Sequence, residues 1–287
     1  MRTGLMVAAI RRTDRLGVHW RRYKRLPTLR AAREDSGGSM PTVLFLSVHK
    51  GASTFLSDVL GPSMLVVFPG LRHLALHAEI LRGRTLESLP IPAEGAVVSR
   101  IYPAHYEQLV EDPAPVAGKF ADKRLVMVRR DPRDVAVSLY YSWANTHLPP
   151  KTDASRQAFF RRRKELRALA VEEAILRWTA RPAISEFAAT ERFLSLFPST
   201  CLMSYEQLVE DFPAWLSRLA YFLDWPPRVT RALLSLEDEV RPPSKARPLS
   251  HKRLMAPGSW REHFDSRLRR RFTDELGERL AAAGYSW

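Results

Sequence analysis

Pro41-Thr-Val-Leu-Phe-Leu-Ser-Val48, followed without a break by His49-Lys-Gly-Ala-Ser-Thr-Phe-Leu56, decides the fold of this chain. The first eight residues are an apolar, partly β-branched run and read as a buried strand. Thr54-Phe-Leu-Ser-Asp-Val-Leu60 then takes up the spacing of a helix. Between strand and helix stand Lys50, Gly51, Ala52, Ser53 and Thr54: a cation, a glycine and two hydroxyls beside the N–H groups of a helix start. These are the parts of an anion cradle. A Walker A loop needs a second glycine ahead of the lysine, and none is present here.

Working outward, short apolar runs at Met64 to Phe68, Ala96 to Ile101, Arg124 to Arg129 and Thr200 to Ser204 read as further strands. Helical spacing covers Arg133 to Trp143, Arg156 to Arg177, Ile184 to Leu196, Tyr205 to Leu223 and Arg228 to Leu236. Alternation of this sort predicts an α/β fold with a central parallel sheet flanked by helices. Tyr-Glu-Gln-Leu-Val-Glu-Asp occurs twice, at 106–112 and 205–211, and each copy reads as a helix start followed by an acidic turn. Nothing around the copies is alike, so they are not an internal repeat. Residues 1–39 stand apart as a basic extension that closes in Ser36-Gly-Gly-Ser39; residues 40–287 form the α/β domain.

The 287 residues carry a net charge of +14, which points to a polyanionic partner: nucleotide phosphates, a nucleic acid, an acidic glycan or an anionic membrane surface. One cysteine, Cys201, excludes an internal disulfide framework and a cysteine metal cluster. No apolar run approaches the ~18–20 residues of a membrane span. Leu5-Met-Val-Ala-Ala-Ile10 falls short of the ~7–15 residues of a signal-peptide core. The expectation is a cytoplasmic protein whose residues 1–39 are either a loosely docked terminus or an arm in peripheral contact with an anionic membrane.

A second stretch carries the rest of the chemistry: Leu125-Val-Met-Val-Arg-Arg130-Asp-Pro-Arg-Asp-Val-Ala-Val-Ser138. An apolar strand ends in Arg129-Arg130, and Asp131-Pro132 opens a helix, with proline suited to its first turn. Arg130 at the strand end and Ser138 two turns along face one crevice at the carboxyl edge of the sheet, where open α/β folds bind ligands. A guanidinium and a hydroxyl at that place suit a terminal phosphate. A capping or salt-bridging arginine paired with Asp131 or Asp134 is the structural alternative.

Together these stretches resemble the sulfotransferases that use 3′-phosphoadenosine 5′-phosphosulfate (PAPS). Lys50-Gly-Ala-Ser-Thr-Phe55 is similar to that family's phosphosulfate loop, usually Lys-Ser-Gly-Thr-Thr-Trp. Arg130 to Ser138 is similar to its 3′-phosphate motif, with arginine and serine at the family spacing. Met203-Ser-Tyr205-Glu-Gln-Leu208 resembles the segment whose tyrosine lies near adenine, and Arg253-Leu-Met-Ala-Pro-Gly258-Ser-Trp260-Arg261 resembles a decayed closing loop. The resemblance spans roughly residues 41 to 264. It implies a P-loop-NTPase-like three-layer sandwich and sulfuryl transfer to a hydroxyl or amine of a small-molecule, lipid or glycan acceptor. It also implies PAPS as co-substrate with no metal, and no nucleic-acid partner.

The same resemblance implies a nucleotide site of Lys50, Gly51, Ala52, Ser53, Thr54, Phe55, Arg130, Ser138, Tyr205 and Arg253. Phe55 stands where a tryptophan stacks on adenine. Lys50 is the catalytic cation, neutralising charge on the leaving phosphate. The family's catalytic histidine, in Lys-Thr-His-x-Pro, has no counterpart in Ser99-Arg100-Ile101-Tyr102-Pro103. His105, just past that strand, and Glu79, after the first β-α unit, are the candidate bases. Two other functions compete: a P-loop kinase-like phosphotransferase using ATP, and a non-enzymatic basic adaptor for membrane or nucleic acid. The missing glycine and the Arg130–Ser138 pair speak against the first, and both phosphate stretches against the second.

Overall fold

Val43–Ser47 (β1), Arg72–Ala75 (β2), Ala96–Ile101 (β3), Arg124–Arg129 (β4) and Cys201–Ser204 (β5) pair in parallel, in the order β2-β3-β1-β4-β5. The computed structural model describes residues 27–33, 40–84, 88–105, 118–150, 153–240 and 256–287. They fall into two compact units. The first is Met1–Arg129 with Arg192–Arg241, and the second is Arg130–Glu191 with Pro242–Trp287. The parallel sheet flanked by helices is the P-loop-like α/β fold that the sequence predicts.

The first unit owes its order to β1. Every residue from Val43 to Ser47 is buried, as a strand covered on both faces requires. Val43, Phe45, Val97, Val126 and Val128 share one core with Leu56, Leu60, Met64, Trp215 and Leu219 from the helices above them. β1 is central, with β3 on one side and β4 on the other, so the chain changes winding direction there.

Two expectations are corrected. Met64 to Phe68 is not a strand but the end of the helix Gly61–Val67, opened by Pro62. Met64, Val66 and Val67 are buried and Leu65 is half-buried, and a short apolar run has no period to separate strand from buried helix. The strand missing from the sequence reading is β2, Arg72-His-Leu-Ala75, an edge strand with Arg72 exposed and no apolar run. Elsewhere the helices divide more finely than expected. Tyr205 to Leu223 breaks at Asp211, whose carboxylate accepts from the Ala214 N–H at 3.0 Å and starts Phe212–Phe222. The first copy of the repeated heptapeptide lies outside the described residues.

Of the basic extension, residues 27–33 are described. They form the helix Pro27–Ala31, which packs on Gly61–Val67 and Pro227–Leu233 and buries Leu29 and Ala32 in the core. A chain that starts at residue 27 keeps this helix whole. One that starts at residue 40 should lose about 2–5 kcal/mol, the cost of removing a buried leucine-sized side chain. Urea titration of the two truncations checks this, and equal midpoints would show that Leu29 adds nothing to the core.

In the second unit, Pro132–Tyr141 packs on the π-turn Ile175–Thr179 and on the short helix Ser259–Glu262. Ser266–Ala282 buries Leu268, Phe272, Leu276 and Leu280, one side chain per turn. The basic stretch after Asn145 gives the helix Asp153–Ala168, which spends arginines on carbonyls: Arg163 reaches Trp143 and His147, and Arg167 reaches Ala144. Among the described residues no helix is long and apolar enough to cross a membrane.

Candidate functional site

The turn after β1 is left-handed twice. Lys50 has φ 64° and Ala52 φ 67°, a conformation that costs an L-residue roughly 1–2 kcal/mol each. Gly51 between them has no room for a side chain: a Cβ would sit 2.8 Å from Val48 Cγ2 and 3.0 Å from the Val48 carbonyl. Strain of this kind persists where the surrounding structure enforces it, typically at ligand-binding loops. The Gly51 N–H closes the turn by donating to the Val48 carbonyl at 3.0 Å. Lys50, Ala52 and Ser53 are half-buried, and Thr54 is exposed.

β3 grips the helix that follows this loop at two points. The Tyr102 Oη donates to Ser53 Oγ at 3.1 Å. Arg100, itself left-handed at φ 57°, donates to Ser57 Oγ at 2.9 Å and to both Asp58 oxygens at 2.8 and 2.9 Å. Helical spacing puts Ser53 and Ser57 on one side of that helix. Ile101, between Arg100 and Tyr102, is fully buried.

Three imidazoles surround Tyr102. His49 stacks on its ring, with centroids 4.3 Å apart and planes 11° from parallel. His77 meets it edge-on at 5.5 Å. His105 Nδ1 accepts from the Tyr102 N–H at 3.2 Å, so the neutral ring carries its proton on Nε2, which lies 3.2 Å from His77 Nδ1. Both nitrogens of His105 are thus used inside the cluster. Burial, followed by the neighbouring His77 and His49, lowers its pKa to about 4, so the ring is neutral at physiological pH.

The other expected residues are placed as follows. Glu79 pairs with Arg82 and, at 3.5 Å, with Arg84; it lines a cavity of about 210 Å³ with Leu74, Leu89 and Ile91. Phe55 is 7% exposed, with its ring against Phe212 and Trp215, so it serves the core. Tyr205 is buried at the start of Tyr205–Glu210. Arg253 lies outside the described residues.

In the second unit Arg130 is buried at 4% exposure and precedes the helix Pro132–Tyr141. From Asp131 to Tyr140 every residue is buried except Ser138. Arg133, three residues along, forms a buried ion pair of its own. Its Nε and Nη2 reach the Asp131 carboxylate at 2.7–3.1 Å, and its guanidinium lies 4.0 Å from the Trp260 ring and 4.9 Å from that of Trp287. Asp134 accepts from the Gly258 N–H at 2.7 Å, the Ser259 hydroxyl at 3.0 Å and the Trp260 N–H at 2.9 Å. The Arg130 motif and the closing loop are therefore built as one piece. Sequence reading missed the cluster around Tyr102 and this carboxylate, although the Asp-Pro-Arg-Asp spacing is a usable signal for a helix start rich in acceptors.

The family model described as the sulfotransferase domain matches residues 112–284, more than half of the chain. The chain belongs to this family. The match takes in the Arg130–Ser138 segment, Tyr205 and the closing loop, and begins after the Lys50 turn. Among solved structures the sulfotransferase is similar to the mouse sulfotransferase SULT7A1 complexed with PAP, at 17% identity and TM-score 0.50, over 89% of each chain. Retinol dehydratase in a complex with retinol and PAP matches at 16% identity and TM-score 0.46, over 91% of this chain and 88% of that one. No curated protein matches.

Proposed function

We propose that this sulfotransferase moves a sulfuryl group from PAPS to a hydroxyl or amine of an acceptor. PAPS supplies the activated sulfuryl group; the chain supplies charge and position, which carry most of an in-line displacement. The observation that carries the reading is the Arg130 segment: a permanent cation at the end of β4, then a fully buried helix turn, then Ser138 alone with its side chain partly open. That arrangement fits a phosphate held by a fork of donors and a hydroxyl. It is a 3′-phosphate that separates PAPS from ATP. The mouse sulfotransferase complexed with PAP, here read as adenosine 3′,5′-bisphosphate, supports the same ligand by fold analogy.

Lys50 neutralises charge on the leaving oxygen, while the turn Gly51-Ala52-Ser53-Thr54 holds the 5′-phosphate with its two hydroxyls and the N–H groups at the helix start. Gly51 is required by the turn itself, because a Cβ would press on Val48 and on the Val128 carbonyl. Tyr205 and Arg253 complete the nucleotide side. His105 and Glu79 enter as supports, His105 holding Tyr102 and Glu79 tied to its arginines.

Isothermal titration separates this from the kinase-like alternative: the bisphosphate should bind without metal, and ATP with Mg²⁺ should bind more weakly. Arg130→Ala should weaken the bisphosphate by roughly 1.5–3 kcal/mol, the range of a charged hydrogen bond. Because the 3′-phosphate does not react, the loss should appear in KM for PAPS more than in kcat. Unchanged affinity in Arg130→Ala would remove the 3′-phosphate assignment.

A further inference from the structure

We propose that Tyr102 is a positioning residue of the nucleotide site, acting through Ser53; the inference rests on the reading that Ser53 faces the 5′-phosphate. Tyr102 falls at the unspecified position of the stretch compared with Lys-Thr-His-x-Pro, between buried Ile101 and Pro103. It is nevertheless the residue on which the end of β3 converges. Its ring is 8% exposed and is held by His49 on one face and His77 at an edge, while its N–H is taken by His105. A phenol framed in this way cannot swing, so its Oη stays on Ser53 Oγ, 3.1 Å away.

The consequence lies in the hydroxyl of Ser53. A serine hydroxyl has one proton and two lone pairs, and on its own it rotates freely. Once a lone pair is committed to the Tyr102 O–H, the single Ser53 proton must point away from Tyr102. A donor fixed before the ligand arrives needs no reorganisation when a phosphate oxygen meets it. The three histidines then serve as the frame of Tyr102, which accounts for imidazoles gathered beside an anion loop without assigning any of them a proton to move.

The test uses two ligands that differ only at the 5′ position: adenosine 3′,5′-bisphosphate and adenosine 3′-monophosphate. Tyr102→Phe keeps the ring and its stacking and removes only Oη. It should weaken the bisphosphate about threefold to tenfold, the worth of one neutral hydrogen bond, and leave the monophosphate unchanged. In a Ser53→Ala background the same substitution should have no further effect, since the two act as one unit. Equal weakening of both ligands, no weakening of either, or a Tyr102→Phe effect that persists in Ser53→Ala would overturn the inference while leaving the nucleotide reading intact. If the unaltered chain binds neither ligand, the nucleotide reading fails and this inference fails with it.

Discussion

Lys50→Ala should lower the turnover of PAPS about 10²–10³-fold, the usual cost of deleting one preorganised group aimed at developing charge. The proposed role puts the ammonium against an oxygen whose charge grows during transfer, so kcat should fall while bisphosphate affinity moves little. Release of adenosine 3′,5′-bisphosphate from PAPS gives the rate whatever the acceptor. The left-handed backbone at Lys50, φ 64°, adds a control. Lys50→Gly relieves that strain and Lys50→Asn suits it, yet neither restores the cation. Both should be as slow as Lys50→Ala. Recovery of rate in either would mean that the residue works through the shape of the turn, and the catalytic assignment of Lys50 would be lost.

Arg133→Ala should cost about 3–5 kcal/mol of stability, because it removes one partner of a buried, hydrogen-bonded ion pair. The Arg133 and Asp131 side chains are 1% and 7% exposed, so water cannot replace the missing partner. The guanidinium also fills the space against Trp260 and Trp287, and its loss opens a cavity there. Arg133→Leu combined with Asp131→Asn should recover much of the loss. The asparagine still caps the helix through its side-chain oxygen, and neither member of the pair is left charged. Urea unfolding of the single and double variants measures both effects. A single variant within about 1 kcal/mol of the parent would place this ion pair among the weak ones.

How far the sequence can be read follows from how local each signal is. β1, the Lys50 turn and the Arg130 segment are each contained in fewer than twenty consecutive residues, and their strand, turn and helix patterns stand in the chain as written. β2 was hidden because an edge strand of four residues with Arg72 and His73 has no apolar alternation. The resemblance puts a stacking face at Phe55, and its packing on Phe212 and Trp215, more than 150 residues away in sequence, is visible only in the fold. Distance along the chain also hid Tyr102 from Ser53 and Asp134 from Gly258. Side-chain chemistry was legible wherever a motif supplied it. Partnerships between motifs needed the fold.

The bonds from Asp134 to Gly258, Ser259 and Trp260 bear on how the protein is made. Each unit is assembled from two separated stretches, and the second draws on residues both before and after the 192–241 stretch that belongs to the first. On the ribosome, Asp134 emerges more than a hundred residues ahead of the N–H groups that satisfy it. Until Trp260 arrives, the helix Pro132–Tyr141 carries an acidic residue awaiting its donors and an arginine awaiting its indole. The second unit therefore cannot close during synthesis of its own first stretch. A nascent chain halted between residues 192 and 250 should be held open and prone to proteolysis in the segment after Arg130.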